Sequence, residues 1–183
     1  MTLLEGKTKV LKLLDEYGAG VGAEEELELR MADFFDIAQK RMAQIRRIPA
    51  LWELERKAGV TDYDMPEDFL TLRQIYRGGR PYKGYEWRGG KLVVPENERE
   101  RIVVEYCRMP ATISEETPDD YVFEVSEEAA LCMPFFVAGQ CLISDLLQDG
   151  SAFMEIYERM VSELGGSGNG RGRMVIRNAL FRG

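Results

Sequence analysis

Residues 126–147 read SEEAALCMPFFVAGQCLISDLL and form the most apolar stretch of the chain. Between positions 129 and 143 only a proline, a glycine and a glutamine interrupt the apolar residues, and they define no polar face. A helix that is apolar almost all round belongs at the centre of a core. The stretch is shorter than the roughly 20 apolar residues that a membrane span requires. We therefore predict a central, buried helix here.

The start of this helix carries two recognisable signals. Ser126 is a good N-cap, because its hydroxyl can accept a hydrogen bond from a free N–H of the first turn. Glu127 and Glu128 stand where the helix dipole favours acidic side chains. Pro134 lies inside the run, so the helix either kinks there or begins there. The capping signals upstream favour a kink.

Two further helices are predicted before the central one and one after it. The first covers 2–17 and opens with a capping box formed by Thr2 and Glu5. The second covers 23–47, and its apolar stripe is expected to cover the central helix. That stripe consists of Leu27, Met31, Phe34, Ala38, Met42 and Ile45. The opposite face mixes charges in a way that suits contacts between subunits, through Glu28, Asp36, Gln39 and Arg46. The last helix covers 151–164, with Ser151 as its cap.

Residues 50–107 read as a small β-sheet inserted between the second helix and the central one. The candidate strands are 50–56, 69–76, 82–87, 92–94 and 101–107. Their short connections favour antiparallel pairing, and Gly89-Gly90 marks a hairpin turn. The predicted fold class is α+β: a four-helix bundle around a central apolar helix, with an inserted small antiparallel β-sheet and an extended C-terminal arm. Residues 1–164 are expected to form one domain.

Composition excludes several kinds of chemistry. The chain of 183 residues has a formal net charge of −8 and no histidine, the commonest general base and metal ligand. No serine lies in a GxSxG nucleophile motif, and the glycines after position 164 match neither a phosphate loop nor GxGxxG. Cys107, Cys132 and Cys141 are odd in number and lack a CxxC pair, which fits a reduced, cytosolic setting. We expect no catalytic, cofactor-binding or metal-binding residues.

One acidic group, residues 62–68, has a partial likeness to a calcium loop. Asp62, Asp64, Glu67 and Asp68 are candidate calcium ligands, but Pro66 and Glu67 occupy the fifth and sixth positions of the loop. An EF-hand needs a ligand and then a glycine there. A turn set by Pro66, with Asp68 capping the backbone, is the favoured interpretation.

A second acidic group, residues 115–128, contains seven acids and no base. A solvated face is the simplest interpretation. Acid–base catalysis by paired carboxylates would need a pocket, and Thr117-Pro118 instead predicts an exposed loop. A repulsive surface that serves a function remains open. The four residues Glu115, Glu116, Asp119 and Asp120 are named the acidic surface below.

A basic–aromatic segment, residues 77–91, allows three interpretations. It interleaves bases and aromatic rings, namely Arg77, Arg80, Lys83, Arg88 and Lys91 with Tyr82, Tyr85 and Trp87. Such a pattern can bind nucleic acid or another protein. It is more often typical of a hairpin that packs its rings on a sheet beneath the basic side-chain stems. The candidate contact residues are Arg80, Tyr82, Tyr85, Trp87 and Arg88.

The C-terminal arm, residues 165–183, has a composition unlike the rest. It is rich in glycine and holds four arginines and no acid. Fixing a residue costs roughly 1–2 kcal/mol of backbone entropy, and the arm has little apolar surface to offset that cost. We predict that it docks on another protein or on an adjacent subunit, by adding a strand to the sheet of that partner. The candidate docking residues are Arg171, Arg173, Met174, Val175, Ile176, Arg177, Leu180 and Phe181.

Five segments together resemble the head-to-tail adaptor (connector) proteins of tailed bacteriophages, in particular those related to podovirus tail tubular and gatekeeper proteins. The segments are Trp52–Leu54, Tyr63–Leu70, Tyr85–Leu92, Val103–Tyr106 and Arg108–Pro110. The order of the flanking helices matches too, so the likeness spans roughly residues 2–164.

The resemblance implies a structural protein without active-site residues or cofactors. It implies a ring, commonly of twelve subunits, in the virion neck, assembled in the bacterial cytoplasm. The ring would sit beneath the portal protein and above a downstream tail or nozzle protein, with DNA passing through its middle. An acidic lining would let DNA slide by like-charge repulsion. Two other classes stay open: a small adaptor or regulator acting in solution, and a metal-dependent enzyme using the acidic cluster.

Overall fold

The computed structural model describes residues 1–16, 24–96, 100–144 and 149–167. The chain divides into two compact units. The helical unit takes Met1–Arg47 and the described residues from Pro110 on, and the sheet unit takes Ile48–Met109. The described residues contain four helices and two small antiparallel sheets. The predicted α+β class is therefore confirmed, while the four-helix-bundle arrangement remains a prediction.

The helical unit is organised around its third helix. The four helices are α1 (Leu3–Glu16), α2 (Glu24–Ile45), α3 (Glu127–Ser144) and α4 (Ser151–Ser167). Helix α3 packs against each of the other three and buries side chains on all sides, because its sequence offers no polar face. It continues through Pro134 without interruption.

Local hydrogen bonds account for where three of these helices begin. At α1, Thr2 Oγ1 accepts from Glu5 N–H and Glu5 Oε2 accepts from Thr2 N–H, so the predicted capping box is confirmed. The Ser126 cap of α3 is confirmed by the bond from Ala129 N–H to Ser126 Oγ. The Ser151 cap is wrong: Ser151 is the first residue of α4, and its N–H donates to Asp149 Oδ1. Hydrogen bonds from the side chain and the backbone N–H of Ser151 lower the pKa of Asp149.

The apolar stripe of α2 differs from the predicted one in two positions. Leu27, Met31, Ala38 and Met42 are buried as expected. Phe35, rather than Phe34, is the fully buried phenylalanine, and its ring packs 5.2 Å from that of Phe123. Ile45 is exposed at the end of the helix. The buried stripe is thus broader than a single line of residues, as expected where a helix packs against several neighbours.

The sheet unit holds two sheets where the sequence predicted one. The first has strand order β1-β7-β3-β4, from β1 (Ile48–Glu53), β3 (Phe69–Arg77), β4 (Arg80–Pro81) and β7 (Ile102–Arg108). The second has the order β2-β6-β5, from β2 (Asp62–Asp64), β5 (Glu86–Arg88) and β6 (Lys91–Val93). All pairings are antiparallel, as predicted.

Two Gly-Gly turns build this arrangement. Gly89-Gly90 joins β5 to β6 with positive φ at both residues, which confirms the predicted hairpin. Gly78-Gly79 joins β3 to β4 in the same way and was not predicted. Because of this second turn, the expected strand 82–87 is wrong: only its last two residues belong to a strand, and residues 82–85 connect the two sheets.

Candidate assembly surfaces

The loop that carries the acidic surface is tied to the start of the chain by backbone hydrogen bonds. Leu3 N–H donates to Tyr121 O at 2.9 Å, and Leu4 N–H donates to Asp119 O at 3.0 Å. Phe123 N–H donates in turn to Met1 O at 3.2 Å. The loop therefore has a defined path along the first turn of α1, although it contains no helix.

Helix α2 holds the same loop from another side through three polar side chains. The fully buried Gln39 donates from Nε2 to Ala111 O at 3.2 Å and accepts at Oε1 from Glu124 N–H at 2.9 Å. Asp36 Oδ1 accepts from Ile113 N–H at 3.0 Å. Lys40 Nζ bonds Asp36 Oδ2 at 2.6 Å and Thr112 Oγ1 at 3.2 Å. Spacings of three and four place these side chains on one helix face.

This arrangement overturns the expectation that Asp36, Gln39 and Arg46 form a surface for neighbouring subunits. Gln39 has no exposed area, and Asp36 is engaged with the loop. Arg46 lies 3.9 Å from the Glu128 carboxylate at the start of α3. The mixed charges of this face therefore serve contacts within the helical unit. The side chain of Glu28 lies outside the described residues.

All four residues of the acidic surface are exposed: Glu115, Glu116, Asp119 and Asp120. Asp119 has a partner that the sequence did not suggest, because Lys7 Nζ of α1 lies 2.9 Å from its Oδ1. Much of the Asp119 side chain nevertheless remains accessible. The loop thus presents carboxylates to solvent from a backbone that is held in place.

The basic–aromatic segment combines ring packing with ion pairs. The Trp87 ring stacks on Phe69 with centroids 5.7 Å apart, although Trp87 remains 47% exposed. The Arg77 guanidinium lies 5.1 Å from the centre of the Tyr82 ring. Tyr85 is half-buried, while Arg80 is exposed.

Several charges of this segment are balanced by nearby acids. Arg88 pairs with Glu86 at 2.8 Å, and Lys91 pairs with Asp64 at 2.8 Å. A nucleic-acid site would need its cations directed toward phosphates. The observed pairs instead favour the interpretation in which rings and basic stems pack on the sheet.

The acids of residues 62–68 are turned to other partners. Asp62 accepts a hydrogen bond from Thr61 Oγ1 at 2.8 Å. Asp68 Oδ1 accepts from the Tyr106 hydroxyl at 2.9 Å, so its expected role as a backbone cap is replaced by a bond to β7. Burial and this bond raise the pKa of Tyr106 to about 12. Within the described residues, no group of three His, Cys, Asp or Glu side chains is placed to hold a metal ion.

A buried carboxylate in the central strand is a feature that the sequence analysis missed. Glu105 of β7 is almost fully buried, and its Oε1 lies 3.2 Å from Arg73 Nη1 on β3. Its Oε2 accepts from the Tyr76 hydroxyl at 2.9 Å. Burial of a charge requires such partners. The available signal was a single glutamate inside the apolar strand sequence IVVEYC.

The candidate docking residues of the C-terminal arm, which fall between 171 and 181, lie outside the described residues. The structure does show that α4 continues to Ser167, so the first three residues of the expected arm are helical.

In the described part of the chain, no helix is long and apolar enough to cross a bilayer. Comparison with curated proteins finds no match. The family model described as SU10 adaptor protein matches residues 1–177 of the 183-residue chain. The predicted resemblance to phage head-to-tail adaptors is thereby confirmed. Since the match covers nearly the whole sequence, the chain belongs to the SU10 adaptor protein family of phage head-to-tail adaptors.

Proposed function

We propose that this adaptor forms a ring in the virion neck, below the portal, and that DNA passes through the ring along its acidic surface. Membership of the adaptor family supports a structural role at the junction of head and tail. The observation that carries the DNA proposal is the group of four exposed carboxylates on a loop anchored to both α1 and α2. We infer no catalytic step and no cofactor.

The carboxylates of the acidic surface can repel DNA only over a short range. Duplex DNA carries one negative charge per about 1.7 Å of helix axis. At physiological salt the Debye length is about 8 Å, so surface carboxylates repel DNA only when they lie close to it. A loop held by backbone bonds and by Gln39 keeps its carboxylates at the surface, where a mobile loop would let them fold away.

The partners follow from the same proposal. Above the ring lies the portal protein, and below it lies a tail or nozzle protein. The arm reaches the portal or an adjacent subunit with its short apolar run Met174–Ile176, its apolar residues Leu180 and Phe181, and its arginines. A ring of twelve copies is the expectation from the resemblance to connector proteins.

A reconstruction of the virion by electron cryomicroscopy tests the placement directly. We expect density for this chain as a closed ring beneath the portal. Density outside the neck, or a single copy per particle, would refute the proposal.

Charge reversal tests the role of the acidic surface. We expect the triple variant E115K/E116K/D120K to fold normally, because individual exposed charges contribute little to stability. Asp119 is left unchanged because it pairs with Lys7. DNA passage should be impaired, since DNA would now adhere to the lumen. The readouts are thermal unfolding and the fraction of particles that package and eject DNA.

The matched control is E55K/E67K/E96K. It reverses three exposed carboxylates of the sheet unit and changes the net charge by the same amount. If both triple variants deliver DNA equally well, the acidic surface does not line the channel.

A further inference from the structure

A shallow apolar groove lies on the helical unit, between the start of α3 and the end of α4. Leu131 projects into it with 43% of its surface exposed, beside the half-buried Met160 and Leu164. Cys132 forms part of its lining. The volume is about 330 Å³, at the lower end of the range of about 300–1,000 Å³ typical of sites that bind small ligands.

The edge of this groove is acidic. Glu128 and Glu163 line it and are both exposed. Arg46 lies 3.9 Å from Glu128, but 74% of the Glu128 side chain remains accessible. An apolar floor between two carboxylates fits a segment that combines large apolar side chains with cations.

The C-terminal arm has this composition. Leu180 and Phe181 are adjacent large apolar residues, and the four arginines of the arm are accompanied by no acid. The arm follows α4, and the groove residue Leu164 lies three positions before the end of that helix at Ser167.

We propose that Leu180 and Phe181 from the arm of an adjacent copy occupy the α3–α4 groove, with arm arginines pairing with Glu128 and Glu163. A groove on one copy and an arm on the next make a heterologous contact, the kind that closes into a ring. The choice of an adjacent copy rests on the proposed ring. The same contact would cover Leu131, a large apolar side chain that is 43% exposed in the single chain.

Binding of an arm peptide tests the groove without requiring a ring. The acceptor is the full-length variant L180E/F181E, whose own arm is disabled, and the probe is a fluorescent peptide of residues 168–183. We expect saturable binding by fluorescence anisotropy. Adding L131Q to the acceptor should weaken binding at least fivefold through loss of apolar contact.

The control for Leu131 is I143Q. Ile143 lies on the same helix, is exposed to a similar extent at 48%, and lies outside the groove. We expect less than a twofold effect from it. Absence of peptide binding, or equal effects of L131Q and I143Q, would overturn the proposal.

The electrostatic part has its own matched pair. E128Q/E163Q should weaken peptide binding and reduce its dependence on salt concentration, whereas E155Q/E158Q, at exposed positions of α4 outside the groove, should change neither. Identical salt dependence in both double variants would refute the pairing with arm arginines.

Disulfide trapping identifies which copy supplies the arm. In the full-length variant L131C/F181C, mild oxidation at high protein concentration should give products linked between chains on a non-reducing gel. I143C/F181C should give far less. A product linked only within one chain would overturn the assignment to an adjacent copy.

These experiments distinguish the groove proposal from the proposed function. A ring in the virion neck without peptide binding would refute the groove proposal alone. Peptide binding without a ring in the neck would refute the proposed function alone.

Discussion

At the scale of single residues, Gln39 is the side chain on which the acidic loop depends. Its amide bonds Ala111 and Glu124, which lie 72 and 85 positions away in the sequence. Gln39 itself is fully buried, so its side chain makes these bonds from inside the helical unit. A buried polar group left without its partner costs about 1–3 kcal/mol.

We expect Gln39→Ala to lower the free energy of unfolding by about 2 kcal/mol in urea denaturation, because it leaves the Glu124 N–H and the Ala111 carbonyl without these bonds. Gln44→Ala is the control, since Gln44 is exposed on the same helix and its change should stay within about 0.5 kcal/mol. Equal effects of the two substitutions would contradict the role of Gln39.

The three cysteines, Cys107, Cys132 and Cys141, are free thiols and all are buried. Burial raises the pKa of Cys132 and raises that of Cys141 to about 12. The thiolate is the reactive form, and at pH 8 these two thiols are mostly protonated. They should therefore react slowly, both because they are protonated and because they are buried.

Native protein at pH 8 should therefore react slowly with a thiol reagent such as DTNB, and all three thiols should react at once in denaturant. The rate at which the native protein reacts with DTNB should rise with pH. A raised pKa means that the thiolate forms only at higher pH. The variant Ile143→Cys supplies a positive control, as its thiol would be exposed on α3 outside the groove. Rapid labelling of Cys132 or Cys141 in the native wild-type protein would show that the helical unit opens readily.

At the scale of elements, the α3–α4 contact is set by two glycines. Gly139 lies in α3 and Gly150 directly precedes α4. A Cβ on Gly150 would lie 2.4 Å from the Gly139 carbonyl oxygen. A Cβ on Gly139 would meet the Met154 sulfur at 3.0 Å. The first obstacle is backbone, whereas the second is the flexible end of a side chain.

We expect Gly150→Ala to destabilise the protein by about 2–3 kcal/mol, because α3 and α4 must separate to admit the methyl group. Gly139→Ala should cost less, since Met154 can move aside. Gly165→Ala is the opposite control: apart from the backbone of its own helix, no atom of the described residues lies within 4 Å of an added Cβ, and alanine favours the helix by up to about 1 kcal/mol. In calorimetry, Gly150→Ala should have the lowest melting temperature of the three variants, Gly139→Ala an intermediate one and Gly165→Ala the highest. A melting temperature of Gly150→Ala at or above that of the wild type would be inconsistent with the close contact.

At the scale of the whole molecule, both units build their cores from described residues. The core of the helical unit runs from Leu3 to Tyr157, and the core of the sheet unit from Leu54 to Val104. We expect folding to depend on these two cores and assembly to depend on the C-terminal arm.

Deleting residues 168–183 tests this separation. We expect the truncated protein to keep its circular-dichroism spectrum and its melting temperature within a few degrees, and to be missing from assembled particles because it lacks the docking segment. Full-length protein produced in parallel is the reference. A truncated protein that still enters the neck would disprove the docking role of the arm, and loss of folding would show that the arm contributes to a core.

Features of this protein that depend on residues close together in sequence could be predicted from the sequence. The Thr2–Glu5 capping box, the Ser126 cap, the buried character of α3 and the Gly89-Gly90 hairpin all use contacts within a few positions. Such contacts form whatever the rest of the chain does, because they need only one turn of backbone. The exposure of the acidic surface was likewise readable, since adjacent carboxylates are costly to bury.

Only the tertiary structure decided which distant groups meet. The sequence alone places Gln39 on the surface of α2, whereas in the structure the loop covers it. Lys7 pairs with Asp119, which is 112 positions away. Glu105 can be buried because β3 places Arg73 beside it. The division into two sheets similarly follows from a second Gly-Gly turn and its strand pairing. The spacing of residues in the sequence does not predict these contacts, because they depend on the path of the whole backbone and on the burial that packing imposes.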